Sequence, residues 1–153
     1  MRAVLLLEDG RRFEGRGFGA RVTRVGEAVF NTAMTGYQEI LTDPSYAEQV
    51  VCMTSSHIGN TGINGEDLEA AQIRASGFIV RSLSPRPSNW RSTGDLDGWL
   101  AAQGVPGLAG VDTRTLTTAV LVNCRRYLEY GVTMAAGALD FVEVDNISLG
   151  AER

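Results

Sequence analysis

The sequence predicts one α/β domain built on a mixed sheet. Strand-length apolar runs fill the first half of the chain, helix-period segments come late, and glycine or proline turn signals separate them. The chain has 153 residues, the length of one domain. At that size roughly two-thirds of the unfolded surface can be buried, so a core forms without disulfide staples. Eighteen glycines and few aromatics point to many tight turns between short elements.

Val4 to Leu7 is an apolar run of strand length, and Asp9-Gly10 after it is a hairpin signal. The partner strand spans about Arg12 to Phe18, and a third strand covers Glu27 to Ala33. Gly36 and Pro44 bracket at most two helical turns, closed by the turn signature Asp43-Pro44-Ser45. Gln49 to Thr54 is the most β-like run and is predicted to be a central strand. His57 to Asp67 reads as a loop, Ser76 to Val80 as a buried strand, and 84–92 as an irregular connection. A helix is expected over Asp95 to Gln103, capped by Ser92 or Thr93 and stopped by Gly104. Leu108 to Val111 forms a short strand. Asp112 then caps a longer helix reaching Tyr130, with Leu116, Val120, Cys124, Tyr127 and Leu128 on one side. A last strand is expected near Phe141 to Val144.

Composition excludes several kinds of chemistry. All fourteen basic residues are arginine, so a P-loop lysine, a Schiff base and pyridoxal attachment are absent. His57 is the one histidine, and Cys52 and Cys124 are the two cysteines, too few for the common zinc sites. The cysteines are expected to be reduced and buried rather than bridged. A net charge of -4 argues against nucleic acid or an acidic membrane surface. The apolar run near the start is too short for a signal peptide or a span, so the expected location is cytoplasmic. The sequon Asn146-Ile147-Ser148 carries no weight without secretion.

The remaining motifs have bland readings. Gly15, Gly17 and Gly19 form a GxGxG, but no helix follows, so a twisted or bulged strand end is favoured over a dinucleotide site. Gly59, Gly62 and Gly65 precede Glu66, Asp67 and Glu69, an acidic run unsuited to phosphate. Cys52 inside an apolar strand and His57 beyond its end make a poor catalytic dyad. His57 is expected to be a hydrogen-bonded loop anchor. Glu39 and Asp43 read as a solvated face, and Arg114 as a partner for a carboxylate across a packed interface. No catalytic constellation emerges from the residues themselves, and no metal site does either.

A resemblance adds what the residues alone do not. The segments LLLEDGRRFEGRGFG, VGEAVFNTAMTGYQEILTDPSY, HIGNTGIN, SGFIVR, PSNWR and GLAGVDTRTLT occur in this order. Together they resemble the N-terminal domain of the small, glutamine-hydrolysing subunit of carbamoyl-phosphate synthase, over about residues 1 to 118. Two departures stand out. Ser55-Ser56 occupy the place of a Tyr-Pro in the family, and after Thr117 the match weakens, with Glu129 in place of an arginine.

The resemblance implies a three-layer β/β/α swivelling-type domain over residues 1–146, with no amidotransferase domain expected in the sequence; the residues themselves predict a frayed tail over 147–153. It implies a role in docking the glutaminase domain on the large synthetase subunit, in the synthesis of carbamoyl phosphate for pyrimidines and arginine. The implied partners are that large subunit and the amidotransferase domain, with no nucleic acid and no membrane. ATP and a divalent metal are expected on the large subunit, and no cofactor on this chain. One serine of the family's TDPSY motif reaches the glutamine site; here it is Ser45. No catalytic residue carries over. The alternative is a free-standing, non-catalytic interaction module with the same fold.

Overall fold

A computed structural model of the chain describes residues 1–7 and 9–129, with side chains through Leu121. Its centre is one mixed six-stranded sheet. The strands are β1 (Arg2–Leu6), β2 (Arg12–Gly19), β3 (Glu27–Asn31), β4 (Gln49–Met53), β5 (Gly77–Val80) and β6 (Pro106–Ala109). Their order across the sheet is β1-β2-β6-β5-β4-β3. β1, β2 and β6 pair antiparallel, whereas β3, β4, β5 and β6 pair parallel. The helices are α1 (Tyr37–Thr42), α2 (Leu96–Ala102) and α3 (Thr113–Glu129).

Side-chain alternation divides the core into two layers. Leu5, Val50, Cys52, Ile79 and Leu108 point to the face covered by Leu116, Ala119 and Val120 of α3. Val51, Met53, Phe78 and Val80 point to the opposite face, where Tyr37 and Leu41 of α1 and Leu96 and Leu100 of α2 meet them. On this face the connecting segments also pair with one another, through the bridges Ile58 to Leu83 and Ile63 to Gly94. The strand expected over Gln49 to Thr54 is interior, and β4 is apolar on consecutive positions because both of its faces are buried.

The hairpin, the short first helix and the glycine stop at Gly104 lie where the sequence placed them. Three boundaries need correction. α2 is capped by Asp95, whose carboxylate accepts the Gly98 amide at 2.7 Å. Ser92 and Thr93 are committed elsewhere, their hydroxyls donating to the carbonyls of Gly94 and Ile63. The strand expected over Leu108 to Val111 lies two residues earlier at both ends, over Pro106–Ala109, because the ladder with β2 runs from Gly19 opposite Pro106 to Arg16 opposite Ala109. β3 stops at Asn31 rather than Ala33, because the Asn31 side chain accepts the Ala33 amide and turns the chain. Asp112 caps α3 as expected, accepting the Thr115 amide at 3.2 Å. The side chains of Cys124, Tyr127 and Leu128, and the strand expected near Phe141 to Val144, lie outside the described residues.

The GxGxG serves strand pairing. Gly15 and Gly17 lie inside β2 rather than at its end. A Cβ on Gly15 would overlap the Ala109 carbonyl oxygen of the neighbouring strand.

Candidate functional site

The Ser45 turn is built from its own sequence. α1 ends at Asp43, whose extended backbone directs the chain into a single 3-10 turn, Pro44–Tyr46. Pro44 sits at the first position of that turn, where a missing N–H costs nothing and the fixed φ is already correct. The Asp43 carboxylate accepts the Ser45 amide at 2.8 Å. Its carboxyl is held below the usual aspartate value, first by the Ser45 amide and then by the Ser45 hydroxyl. The Tyr46 hydroxyl accepts a hydrogen bond from the Asn31 side chain at 3.0 Å and ties the turn to the end of β3. Ser45 therefore stands exposed on a turn fixed at both ends. Asp43 follows the helix instead of sharing a face with Glu39, so these two acids do not form a catalytic pair.

The other sequence candidates separate. Cys52 is buried in β4, and burial pushes its thiol up to about 12. His57 is exposed and forms no hydrogen bond to another described residue, so the expected loop anchor is not the histidine. Arg114 is exposed on the first turn of α3 and pairs with no carboxylate among the described residues. A consequence for Cys52 is measurable. At pH 8 only about one thiol in ten thousand would be ionised at that value. In a Cys124→Ser background, Cys52 is expected to resist a thiol reagent such as DTNB until the protein unfolds. Rapid stoichiometric labelling of the folded protein would show that Cys52 is reachable.

The loop after β4 is anchored by residues that sequence reading passed over. The Tyr37 hydroxyl donates to the Gly62 carbonyl at 2.7 Å and accepts from Thr61 at 2.8 Å. Gln38, buried on α1, makes a two-way clasp, donating to the Asn64 carbonyl at 2.7 Å and accepting the Asn64 amide at 2.9 Å. The Asn64 side chain accepts the amides of Glu66 and Asp67. These amides are consumed internally, which removes the phosphate-cradle reading. Arg91 then bridges Glu66 and Asp67 at 2.8 and 3.0 Å, tying a second loop to the first. A buried glutamine two positions into a short helix was the available signal, but its partner lies 26 residues away.

No group of three or more potential metal ligands occurs among the described residues. No described helix is long and apolar enough to cross a membrane. Fold and site together define an α/β domain that presents polar groups on clamped surface turns. The chain belongs to the carbamoyl-phosphate synthase small chain family: the family model described as its CPSase domain matches residues 5–125. The carbamoyl phosphate synthase small chain of Streptomyces coelicolor is 64% identical over 115 residues, which are 75% of this chain and 30% of that protein. Those of Xylella fastidiosa and Solidesulfovibrio magneticus are 61% and 56% identical, over 75% and 76% of this chain and 31% of each relative. The chain thus spans about a third of the length of these curated relatives.

Proposed function

We propose that this chain is the N-terminal domain of the small subunit of a glutamine-dependent carbamoyl-phosphate synthase. In this reading it seats a glutamine-hydrolysing domain against the large subunit, so that ammonia released from glutamine reaches the synthetase. Residues 1–146 make up the domain. ATP and the divalent metal belong to the large subunit, and the chain supplies no nucleophile of its own. Its one direct contribution to the glutamine site is Ser45. The observation that carries the reading is the exposed Ser45 hydroxyl on a turn held by Asp43 and Pro44, in a chain that belongs to this family. A hydroxyl in that position can hydrogen-bond a polar group of glutamine bound in the adjoining domain.

The test fuses this domain to the glutamine-hydrolysing part of a family member and pairs it with a large subunit. One neutral hydrogen bond contributes about 0.5–1.5 kcal/mol, so Ser45→Ala should weaken glutamine-dependent synthesis roughly 3- to 10-fold. Ser45→Phe should weaken it further by blocking the junction. Synthesis from free ammonia should survive both changes, because it bypasses the glutamine site. Equal damage to both activities would make Ser45 a structural turn residue.

A further inference from the structure

The segment that carries Ser45 is closed on the backbone of one distant residue. Before the turn, the Leu41 carbonyl accepts the Arg74 amide at 2.8 Å. After it, the Glu48 amide donates to the Arg74 carbonyl at 3.3 Å. Entry and exit of the turn are thus held at the same place. Between them, the Tyr46 and Ala47 amides donate to the carbonyls of Asp43 and Pro44, each at 3.1 Å. From the side, Asn31 donates to the Tyr46 hydroxyl at 3.0 Å. Asn31 is itself fixed: its side-chain oxygen accepts the Ala33 amide at 2.8 Å, and its carbonyl accepts the Thr54 amide at 3.0 Å.

Closing the segment strains its backbone. Glu48 has φ +64, the one positive φ on a residue other than glycine among the described residues. A residue with a side chain disfavours that conformation, so it persists where the surroundings over-determine it. Two neighbours do so here. The next residue, Gln49, opens β4 opposite Glu27, and its side chain donates to the Glu27 carboxylate at 2.7 Å. The Glu48 carbonyl lies against Gly26 so closely that a Cβ there would overlap its oxygen. The turn closes on Arg74 while β4 starts at Gln49, and the left-handed residue between them meets both demands. The Glu48 side chain is exposed and forms no hydrogen bond or ion pair with a described residue. The strain therefore serves the path of the backbone rather than a contact of the carboxylate.

We propose that Glu48 and Tyr46 are positioning residues for Ser45. The left-handed backbone of the one and the moored hydroxyl of the other fix where the serine hydroxyl stands, and so set how strongly glutamine is held. The proposal rests on the reading that Ser45 meets glutamine, and it names what aims the serine. Neither residue touches glutamine, so misplacing the turn can lose no more than Ser45 itself contributes.

The test uses the fusion described above, paired with the large subunit. It measures kcat and KM for glutamine beside synthesis from free ammonia. Ser45→Ala checks the underlying reading. Glu48→Val places a β-branched side chain at a positive φ, and Tyr46→Phe deletes the moored hydroxyl. Each should raise the glutamine KM by about 2- to 5-fold, with kcat and the ammonia-dependent rate unmoved. Glu48→Gly accepts the same backbone without strain and should stay within about 2-fold of the parent. In a Ser45→Ala background, Glu48→Val and Tyr46→Phe should add nothing, because they act through the serine. If Ser45→Ala raises KM while both variants leave it unchanged, or if their effects add in full to that of Ser45→Ala, the positioning role is overturned and the role of Ser45 stands. A loss in Glu48→Gly equal to that in Glu48→Val would place the effect in the carboxylate and overturn the backbone role. If Ser45→Ala changes nothing, the reading and the proposal fall together. Should Glu48→Val fail to fold by circular dichroism, the cycle of Tyr46→Phe with Ser45→Ala decides.

Discussion

Replacing Phe78 with alanine is expected to destabilise the domain by about 3–5 kcal/mol, the range for deleting a buried aromatic side chain. Phe78 is fully buried in β5. It lies opposite Val51 of β4 and Gly107 of β6, so the cavity would open at the centre of the parallel ladder. The same cluster contains Ile58 and Ile63 from the loop after β4 and Leu96 and Leu100 from α2. Both strand neighbours are held by their own ladders, so little of the void can close by collapse. Such a loss is a large share of the roughly 5–15 kcal/mol that folded domains possess. Urea unfolding of the two proteins checks it, read as a lower midpoint at an unchanged slope. A loss under about 1 kcal/mol would show that the cluster closes around the deletion.

The second large effect concerns Gly62, which joins the Tyr37 clasp to the Trp90 loop. Its backbone has φ +70, a left-handed conformation. That costs a side chain-bearing residue about 1–2 kcal/mol. A Cβ at this position would stand 2.7 Å from the Ser92 Cβ and 2.8 Å from the Pro87 Cβ, and overlap the Ser92 hydroxyl oxygen. Overpacking of this kind costs about 1–3 kcal/mol. Gly62→Ala should therefore lose about 2–5 kcal/mol in urea unfolding. It should also displace the loop on which Trp90 stands. Adding Ser92→Gly removes the two nearest obstructing atoms, so it should restore part of the overlap cost and leave the Pro87 contact and the backbone part. A double variant no better than the single would locate the cost in the backbone and the Pro87 contact rather than in Ser92.

The legible parts of the site are those in which cause and effect are neighbours in sequence. Asp43 caps the turn that presents Ser45 two positions on, and the proline between them sets the backbone. That chemistry is local, so it can be read from three letters. The α2 cap shows the limit of such reading. Ser92, Thr93 and Asp95 are all competent caps. Asp95 holds the role because the other two hydroxyls donate to carbonyls of the loop region instead. His57 shows it more sharply. A polar ring in a glycine-rich loop reads as an anchor, yet Tyr37, Gln38 and Asn64 anchor the loop, and the histidine faces water.

Taken by itself, the sequence determined the α/β class, the hairpin, the central strand, the short helix and the exposed serine turn. Each follows from side-chain period, turn chemistry or capping within a few residues, where the backbone responds to its own neighbours. The order of the strands, the clasp of Gln38 on Asn64 and the exposure of Trp90 were decided only by the tertiary structure. These depend on which segments the sheet brings together across 24 to 28 residues of intervening chain, as in the pairs Tyr37 with Thr61 and Ser88 with Asn60. A tryptophan flanked by polar residues has the same local signature whether its ring is buried or free. The salt bridges of Arg91 to Glu66 and Asp67 pin the backbone beside Trp90 and leave its ring in solvent.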